Sequence, residues 1–306
     1  MQTFLLHDRL FVRQWLPPQP VAVVQVVHGM AEHSGRYGRF ASFLNEQGIA
    51  VYAHDHRGHG YTAGSPERIG FFAPECGWEL VVQDIRLLHQ EIARRHPGLP
   101  VVLFGHSMGS FLSREFASRW GEDLAGLVLS GTATPPKTML LGGLALARLQ
   151  MALRGKRARS RLLDRLTFGR YNASVKHHRT GYDWISRDDA QVDDYAHCPW
   201  CGGVFTTAFF RDLFTGLLRL HGAEHLAGLP AALPVLLIAG DNDPVGNRGR
   251  DVRDLFFCYR SIGLRDVQMR LFEGARHSLL HETNADEVQQ VVLAWLRRHL
   301  PQIITH

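Results

Sequence analysis

The part of this 306-residue chain richest in potential chemistry is Gly105-His106-Ser107-Met108-Gly109. It follows directly on Val101-Val102-Leu103-Phe104, which reads as a strand, and precedes Ser110 to Trp120, which reads as a helix. A strand, a tight turn and a helix in that order lift a serine hydroxyl clear of the backbone, where a carbonyl carbon can reach it. Small residues on both sides let the backbones of the turn approach one another. The helix start directs its positive dipole end at a developing oxyanion. G-x-S-x-G arises often by chance, and it is the strand and helix around it that make Ser107 a candidate nucleophile.

A serine hydroxyl needs a base, and the base needs an acid to orient it. The apolar run Leu233 to Ala239 ends in Gly240-Asp241-Asn242-Asp243-Pro244-Val245-Gly246, which puts two acids on a loop at the carboxyl end of a strand. Ligands of open α/β sheets bind at such ends. Asp243 is the better candidate, because Pro244 holds the residue before it extended, whereas Asp241 suits a simple turn cap. Val267 to Phe272 runs into Glu273-Gly274-Ala275-Arg276-His277-Ser278, so His277 also sits just past a strand end. With 18 histidines in the chain, position decides, and His281 is the nearby competitor.

Acyl transfer also requires backbone N–H groups aimed at the oxyanion. Met108 supplies one by following Ser107. A second is expected from the loop after Val23 to Val27, which reads His28-Gly29-Met30-Ala31-Glu32-His33-Ser34-Gly35. The Met30 N–H fits, with Gly29 allowing close approach to a substrate.

Positioning these groups calls for several strands ending on one side. Residues 3–6, 10–15, 21–27, 49–53, 100–104, 126–130, 234–239 and 267–272 are short apolar runs rich in β-branched residues, the first two spaced as a hairpin. Amphipathic stretches separate most of them. From Trp78 to Arg95, apolar Leu80, Val81, Ile85, Leu88 and Ile92, with Asp84 among them, recur at spacings of three and four. Asp286 to His299 repeats the pattern, and Arg36 to Gln47 reads as a further helix. The alternation predicts an α/β fold, a mainly parallel sheet with helices on both faces. It breaks over residues 132–222, where helical and loop-like sequence offers no buried strand. A catalytic domain of residues 1–131 and 223–306 with an inserted helical cap (lid) over 132–222 is the expected organisation.

Composition agrees with a globular protein, at 45% hydrophobic residues and a net charge of +5. The scattered basic residues argue for no nucleic-acid partner. The absence of a signal-like N-terminus, of a long apolar run and of a cysteine framework predicts a cytoplasmic protein with its four cysteines reduced. Oligomeric state is not legible.

Together the motifs resemble the monoglyceride lipase and lysophospholipase branch of the α/β-hydrolases, of the serine aminopeptidase S33 type. The matching pieces are His28-Gly29-Met30-Ala31-Glu32-His33-Ser34-Gly35-Arg36-Tyr37, Asp55-His56-Arg57-Gly58-His59-Gly60, Gly105 to Gly109, the Asp243 loop and Gly274-Ala275-Arg276-His277. The resemblance implies an α/β-hydrolase fold and hydrolysis of the carboxylic ester of a single-chain lipid through an acyl-enzyme on Ser107, with no metal or cofactor. It implies Gly29, Glu32 and Arg36 near the polar end of the substrate; a salt bridge from Glu32 to Arg36 that merely closes the loop is the alternative. One departure is that His281 lies four residues beyond His277, where mammalian monoglyceride lipases carry a polar-site histidine three beyond. In the cap, Arg187-Asp188 and Cys201-Gly202 resemble bacterial members.

Other readings compete on the same fold: a general carboxylesterase, an S33-type peptidase, or a non-catalytic binding protein. Two further features lie in the insertion. Thr138 to Leu153 is strongly apolar and is followed by Arg154, Lys156, Arg157, Arg159, Arg161 and Arg165, which suits peripheral contact of the cap with a membrane surface, or equally a buried helix beside a solvated basic face. Cys198-Pro199-Trp200-Cys201 has C-x-x-C spacing with His197 beside it, but lacks the strand and helix start of a thioredoxin-like site and the ligands of a zinc site.

Overall fold

In the computed structural model, which describes residues 1–300, the eight apolar runs become the strands of a single sheet. The chain order is β1 (Gln2–Leu6), β2 (Leu10–Trp15), β3 (Ala22–Val27), α1 (Gly38–Asn45), β4 (Ile49–His54), α2 (Gly77–Arg95), β5 (Val101–His106), α3 (Met108–Trp120) and β6 (Gly126–Ser130). After β6 come α4 (Lys137–Arg154), α5 (Arg161–Phe168), α6 (Asp189–His197), α7 (Thr207–Arg219) and α8 (Ala223–Ala227). The sheet resumes with β7 (Val235–Gly240), α9 (Arg250–Ser261), β8 (Val267–Phe272) and α10 (Ala285–His299).

Strands lie in the order β1-β2-β4-β3-β5-β6-β7-β8. The first two form the expected antiparallel hairpin and β2 runs antiparallel to β4; the remaining pairs are parallel. Because β4 and β5 flank β3 on opposite sides, the winding direction reverses at β3 and β5. Their carboxyl ends therefore diverge into a crevice, the place where ligands of open α/β sheets bind. The loop from His28 and the turn at Ser107 leave the sheet at this point.

Side chains alternate between two apolar layers. Val102 and Phe104 pack with α1 and α10 on one face, while Leu103 packs with α2, α3 and α9 on the other. Helix α2 buries Val81, Ile85, Leu88 and Ile92 as its periodicity predicts. Asp84 on the same face is fully buried and ionically paired with Arg57 at 2.5 Å and Arg9 at 3.0 Å. The stretch read as one helix from Arg36 is in two parts: a 3-10 turn over Ser34–Tyr37 precedes α1. The Ser34 N–H and hydroxyl both donate to buried Asp55, at 2.8 and 2.5 Å, which anchors the turn and forces the break.

Among the described residues, the stretch between β6 and β7 adds no strand to the sheet. It also contains no helix long and apolar enough to cross a membrane, nor does the rest of the described chain.

Candidate active site

Ser107 caps α3 with φ +52° and ψ −122°, a left-handed conformation that costs a non-glycine residue about 1–3 kcal/mol. Its surroundings hold it there. The Ser107 N–H donates to the Ser130 carbonyl at 2.9 Å, and the Ser107 carbonyl accepts from the Ser110 N–H at 2.8 Å and its hydroxyl at 2.6 Å. Both glycines of the motif are required by close approach. A Cβ on Gly109 would run into the Val27 and His28 carbonyls, and one on Gly105 into Ser113 and the Gly109 carbonyl.

His277 lies across the crevice with Nε2 2.8 Å from Ser107 Oγ, while its Nδ1–H donates to Asp243 Oδ2 at 2.9 Å. Asp243 and His277 are both buried. The other Asp243 oxygen accepts the Val245 N–H at 2.9 Å, which orients the carboxylate toward the imidazole. The competing residues are engaged elsewhere. Asp241 accepts the Gly274 N–H at 2.7 Å and so ties the β7 loop to the β8 loop. His281 Nε2 donates to the Arg36 carbonyl at 3.0 Å, and burial with the nearby Arg36 charge pushes its pKa down to about 3. The chain Ser107, His277, Asp243 is the arrangement that lets a hydroxyl lose its proton as it attacks a carbonyl.

The loop after β3 lies against the serine, and a Cβ on Gly29 would stand 3.1 Å from that of Ser107. Glu32 braces the loop from below: its Oε1 accepts the Gly29 N–H at 2.6 Å and the Tyr37 hydroxyl at 2.8 Å, and its Oε2 lies 3.2 Å from Arg36 Nε. Burial works against its charge, yet His106, Arg36, His281 and the Gly29 N–H together hold the carboxyl at about 2. Buried histidines support the same loop. The His56 backbone N–H donates to His28 Nε2 at 3.0 Å, so the His28 proton is on Nδ1, which donates to the Gly29 carbonyl at 2.7 Å. His56 Nε2 donates to the His28 carbonyl at 3.1 Å and leaves Nδ1 to accept from His54 at 3.1 Å. Burial lowers the pKa of all three, which keeps the chain neutral. His59, beside them, donates Nδ1–H to the Arg57 carbonyl at 3.0 Å as part of its turn.

Two groups at the site carried no signal in the sequence. His106, inside the serine motif, lies 4.8 Å from the His277 ring, and burial lowers it to about 4, so it adds no second charge when His277 takes a proton. Trp184, between α5 and α6, covers the His277 ring at 5.2 Å and contacts Tyr171 at 5.0 Å. That segment is fastened to the histidine loop: the Ser278 N–H donates to the Ile185 carbonyl at 2.7 Å, and Arg276 donates to the Asp183 and Ser186 carbonyls at 2.6 and 2.7 Å. An irregular stretch has no period by which to recognise such contacts.

Fold and geometry define a serine hydrolase of the α/β-hydrolase class. The family model described as Hydrolase_4: Serine aminopeptidase, S33 matches residues 18–284. Monoglyceride lipase of Homo sapiens is 30% identical over 279 residues, covering 89% of this chain and 81% of its own. Monoacylglycerol lipase of Mycolicibacterium smegmatis is 28% identical over 293 residues, 95% of this chain and 94% of its own. Among solved structures, a thermostable carboxyl esterase from Bacillus coagulans in complex with glycerol matches with a TM-score of 0.88 at 28% identity, covering 98% of both chains. The chain belongs to the serine aminopeptidase S33 family, alongside the monoglyceride lipases.

Proposed function

We propose that this enzyme hydrolyses the carboxylic ester of monoacylglycerols, with Ser107 as nucleophile, His277 as base and Asp243 as the acid that orients it. The carrying observation is the continuous Ser107–His277–Asp243 chain, at 2.8 and 2.9 Å, in a protein so similar over its length to monoglyceride lipases. His277 Nε2 takes the Ser107 proton as Oγ bonds to the ester carbon, and the oxyanion is held by the Met30 and Met108 N–H groups. The imidazolium then protonates the departing glycerol oxygen. Water, deprotonated by His277, attacks the acyl-enzyme, and proton return to Ser107 Oγ releases the fatty acid. Gly29, Glu32 and Arg36 serve substrate binding as the brace of the loop that carries Met30.

The peptidase reading needs a free carboxylate for the substrate amine, and the Glu32 carboxylate is already engaged by Gly29, Tyr37 and Arg36. The expected result of a substrate panel is therefore a kcat/KM for monoacylglycerols at least tenfold above those for lysophosphatidylcholines and short nitrophenyl esters, with no turnover of a proline arylamide. Equal, weak rates on all the esters would reduce the reading to a general carboxylesterase.

We assign residues 132–222 to a cap over this centre, an assignment supported by the position of Trp184 against His277. Its outer face suits a lipid surface. Leu140, Leu144 and Ala147 of α4 are buried, while Met139, Leu141, Leu149 and Leu153 are exposed, as are Leu162 and Leu166 of α5. Exposed Arg154, Arg161 and Arg165 adjoin them. Lys156 is engaged with Glu75, Arg157 lies over the Phe71 ring at 4.0 Å, and Arg159 is engaged with backbone carbonyls. Reversing Arg154, Arg161 and Arg165 to glutamate is expected to lower co-sedimentation with anionic vesicles at least tenfold, at about 1 kcal/mol per charge, while leaving hydrolysis of a soluble nitrophenyl ester intact. Binding that ignores both vesicle charge and these substitutions would exclude the docking role.

A further inference from the structure

The C-x-x-C segment, weak as a motif, acquires a partner in the folded chain. His197 is turned back on its own helix, with Nδ1 donating to the Asp193 carbonyl at 2.8 Å. The partner is instead His33, from the loop that carries Met30: its Nε2 lies 3.5 Å from Cys198 Sγ. The two sulfurs and His33 lie within 4.8 Å of one another. The Cys201 N–H donates to the Cys198 carbonyl at 3.1 Å, so the intervening Pro199-Trp200 forms a turn that faces the two side chains together.

Two chemistries suit such a cluster, a thiophilic cation or a redox dithiol, and the histidine tautomer separates them. The Gly35 N–H donates to His33 Nδ1 at 3.2 Å, which leaves the ring proton on Nε2, directed at Cys198. A cation bound at Nε2 would move that proton to Nδ1, where it would oppose the Gly35 N–H. A donor at Nε2 is what a thiolate requires.

We propose that Cys198 and Cys201 form a redox-active dithiol, with Cys198 as the attacking thiolate and Cys201 as the resolving thiol, and that its oxidation state is transmitted to the Met30 loop. The Cys198 thiol is held down to about 5, by the Cys201 S–H first, against the cost of burial, and also by the Trp200 N–H and His33. Cys201 is pushed up by its bond to Cys198 and by burial, which keeps it protonated, although Arg36 opposes this. Tyr195 and Glu32 are the other ionisable groups beside the pair.

With a hydroperoxide as oxidant, the Cys198 thiolate sulfur bonds to one peroxide oxygen as the O–O bond breaks, giving a sulfenic acid, and the departing hydroxide or alkoxide takes a proton from solvent and leaves as water or alcohol. Cys201 sulfur then displaces the sulfenic oxygen, and its proton leaves with that oxygen as water. Two thiols are oxidised by two electrons and one peroxide is reduced.

Transmission follows from the hydrogen bonds next to the turn. The Gly202 N–H and the Tyr195 hydroxyl both donate to the Ala31 carbonyl at 2.8 Å. Ala31, at φ +59°, adjoins Met30. Closing an S–S bond draws the sulfurs to about 2.05 Å and removes the thiolate from His33, so both anchors of the loop shift.

The coupling to turnover rests on the oxyanion role proposed for Met30; the dithiol chemistry does not, and the experiment reads them separately. Purified enzyme is treated with hydrogen peroxide and, in parallel, with buffer; disulfides are mapped by mass spectrometry and nitrophenyl ester turnover is measured before and after dithiothreitol. The expected result is a Cys198–Cys201 disulfide and an about tenfold fall in kcat that dithiothreitol reverses, a response absent in C198S and C201S. In the reduced enzyme Cys198 is expected to be alkylated at pH 6, ahead of Cys76 and Cys258, with H33N moving its midpoint upward. Oxidation of exposed Cys76 while residues 198 and 201 stay free thiols would overturn the dithiol. A mapped disulfide with unchanged turnover would overturn the coupling, and an activity loss that dithiothreitol leaves in place, or that persists in C198S, would trace to other residues.

Discussion

Exchanging Ser107 for alanine is expected to lower kcat by about 10⁴- to 10⁶-fold and to abolish labelling by a fluorophosphonate probe, with thermal stability almost unchanged. The size of the effect follows from the geometry. Ser107 Oγ is the atom that His277 Nε2 reaches at 2.8 Å, and at this position no other hydroxyl can replace it as the nucleophile. Stability is spared because the backbone is held by the Ser130 and Ser110 contacts, which alanine keeps: the Ser107 N–H and carbonyl bonds do not involve the hydroxyl. Wild-type protein that fails to label would favour a binding protein on a hydrolase scaffold. Residual activity in Ser107→Ala above about 1% of wild type would assign the chemistry to another residue.

A paired substitution on the β7 loop tests the acid. Asp243→Asn is expected to cost about 10⁴-fold in kcat, because an amide can offer its NH₂ to Nδ1 and leave the His277 proton on Nε2, where it cannot accept from Ser107. Asp241→Asn, two residues earlier, is expected to change kcat less than about threefold, since the amide oxygen can still accept the Gly274 N–H. Steady-state kinetics of the two variants, with circular dichroism to verify folding, provide the comparison. Similar losses in both would mean that the loop as a whole, rather than one carboxylate, matters. A modest loss in Asp243→Asn alone would remove Asp243 from the orienting role.

Glu32 shows why reading a site from sequence alone is ambiguous. Its type and place in the loop suit a substrate contact and a structural brace equally well. In the folded chain its oxygens meet Gly29, Tyr37 and Arg36, and the carboxylate supports the loop that carries Met30. The histidines beneath it behave in the same way: metal ligation and turn chemistry are both compatible with their spacing, and the hydrogen bonds assign them to the backbone of that loop.

The sequence by itself determined the parts that obey local rules. The central strands β3 to β7 appear as short apolar runs because each is buried on both faces, and α2 and α10 appear through their apolar periods. The serine turn is legible because its strand, glycines and helix are contiguous, and Asp243 and His277 because each follows a strand end. Only the tertiary structure decided that Asp243 meets the imidazole at 2.9 Å while Asp241 ties two loops together, that Trp184 lies on His277, and that Cys198 meets a histidine 165 residues away. Those contacts join irregular loops brought together where β3 and β5 diverge, and loop conformation is set by hydrogen bonds to distant backbone, for which a sequence carries no period. Ser107 is thus a local inference, while the environment that activates it is a product of the fold.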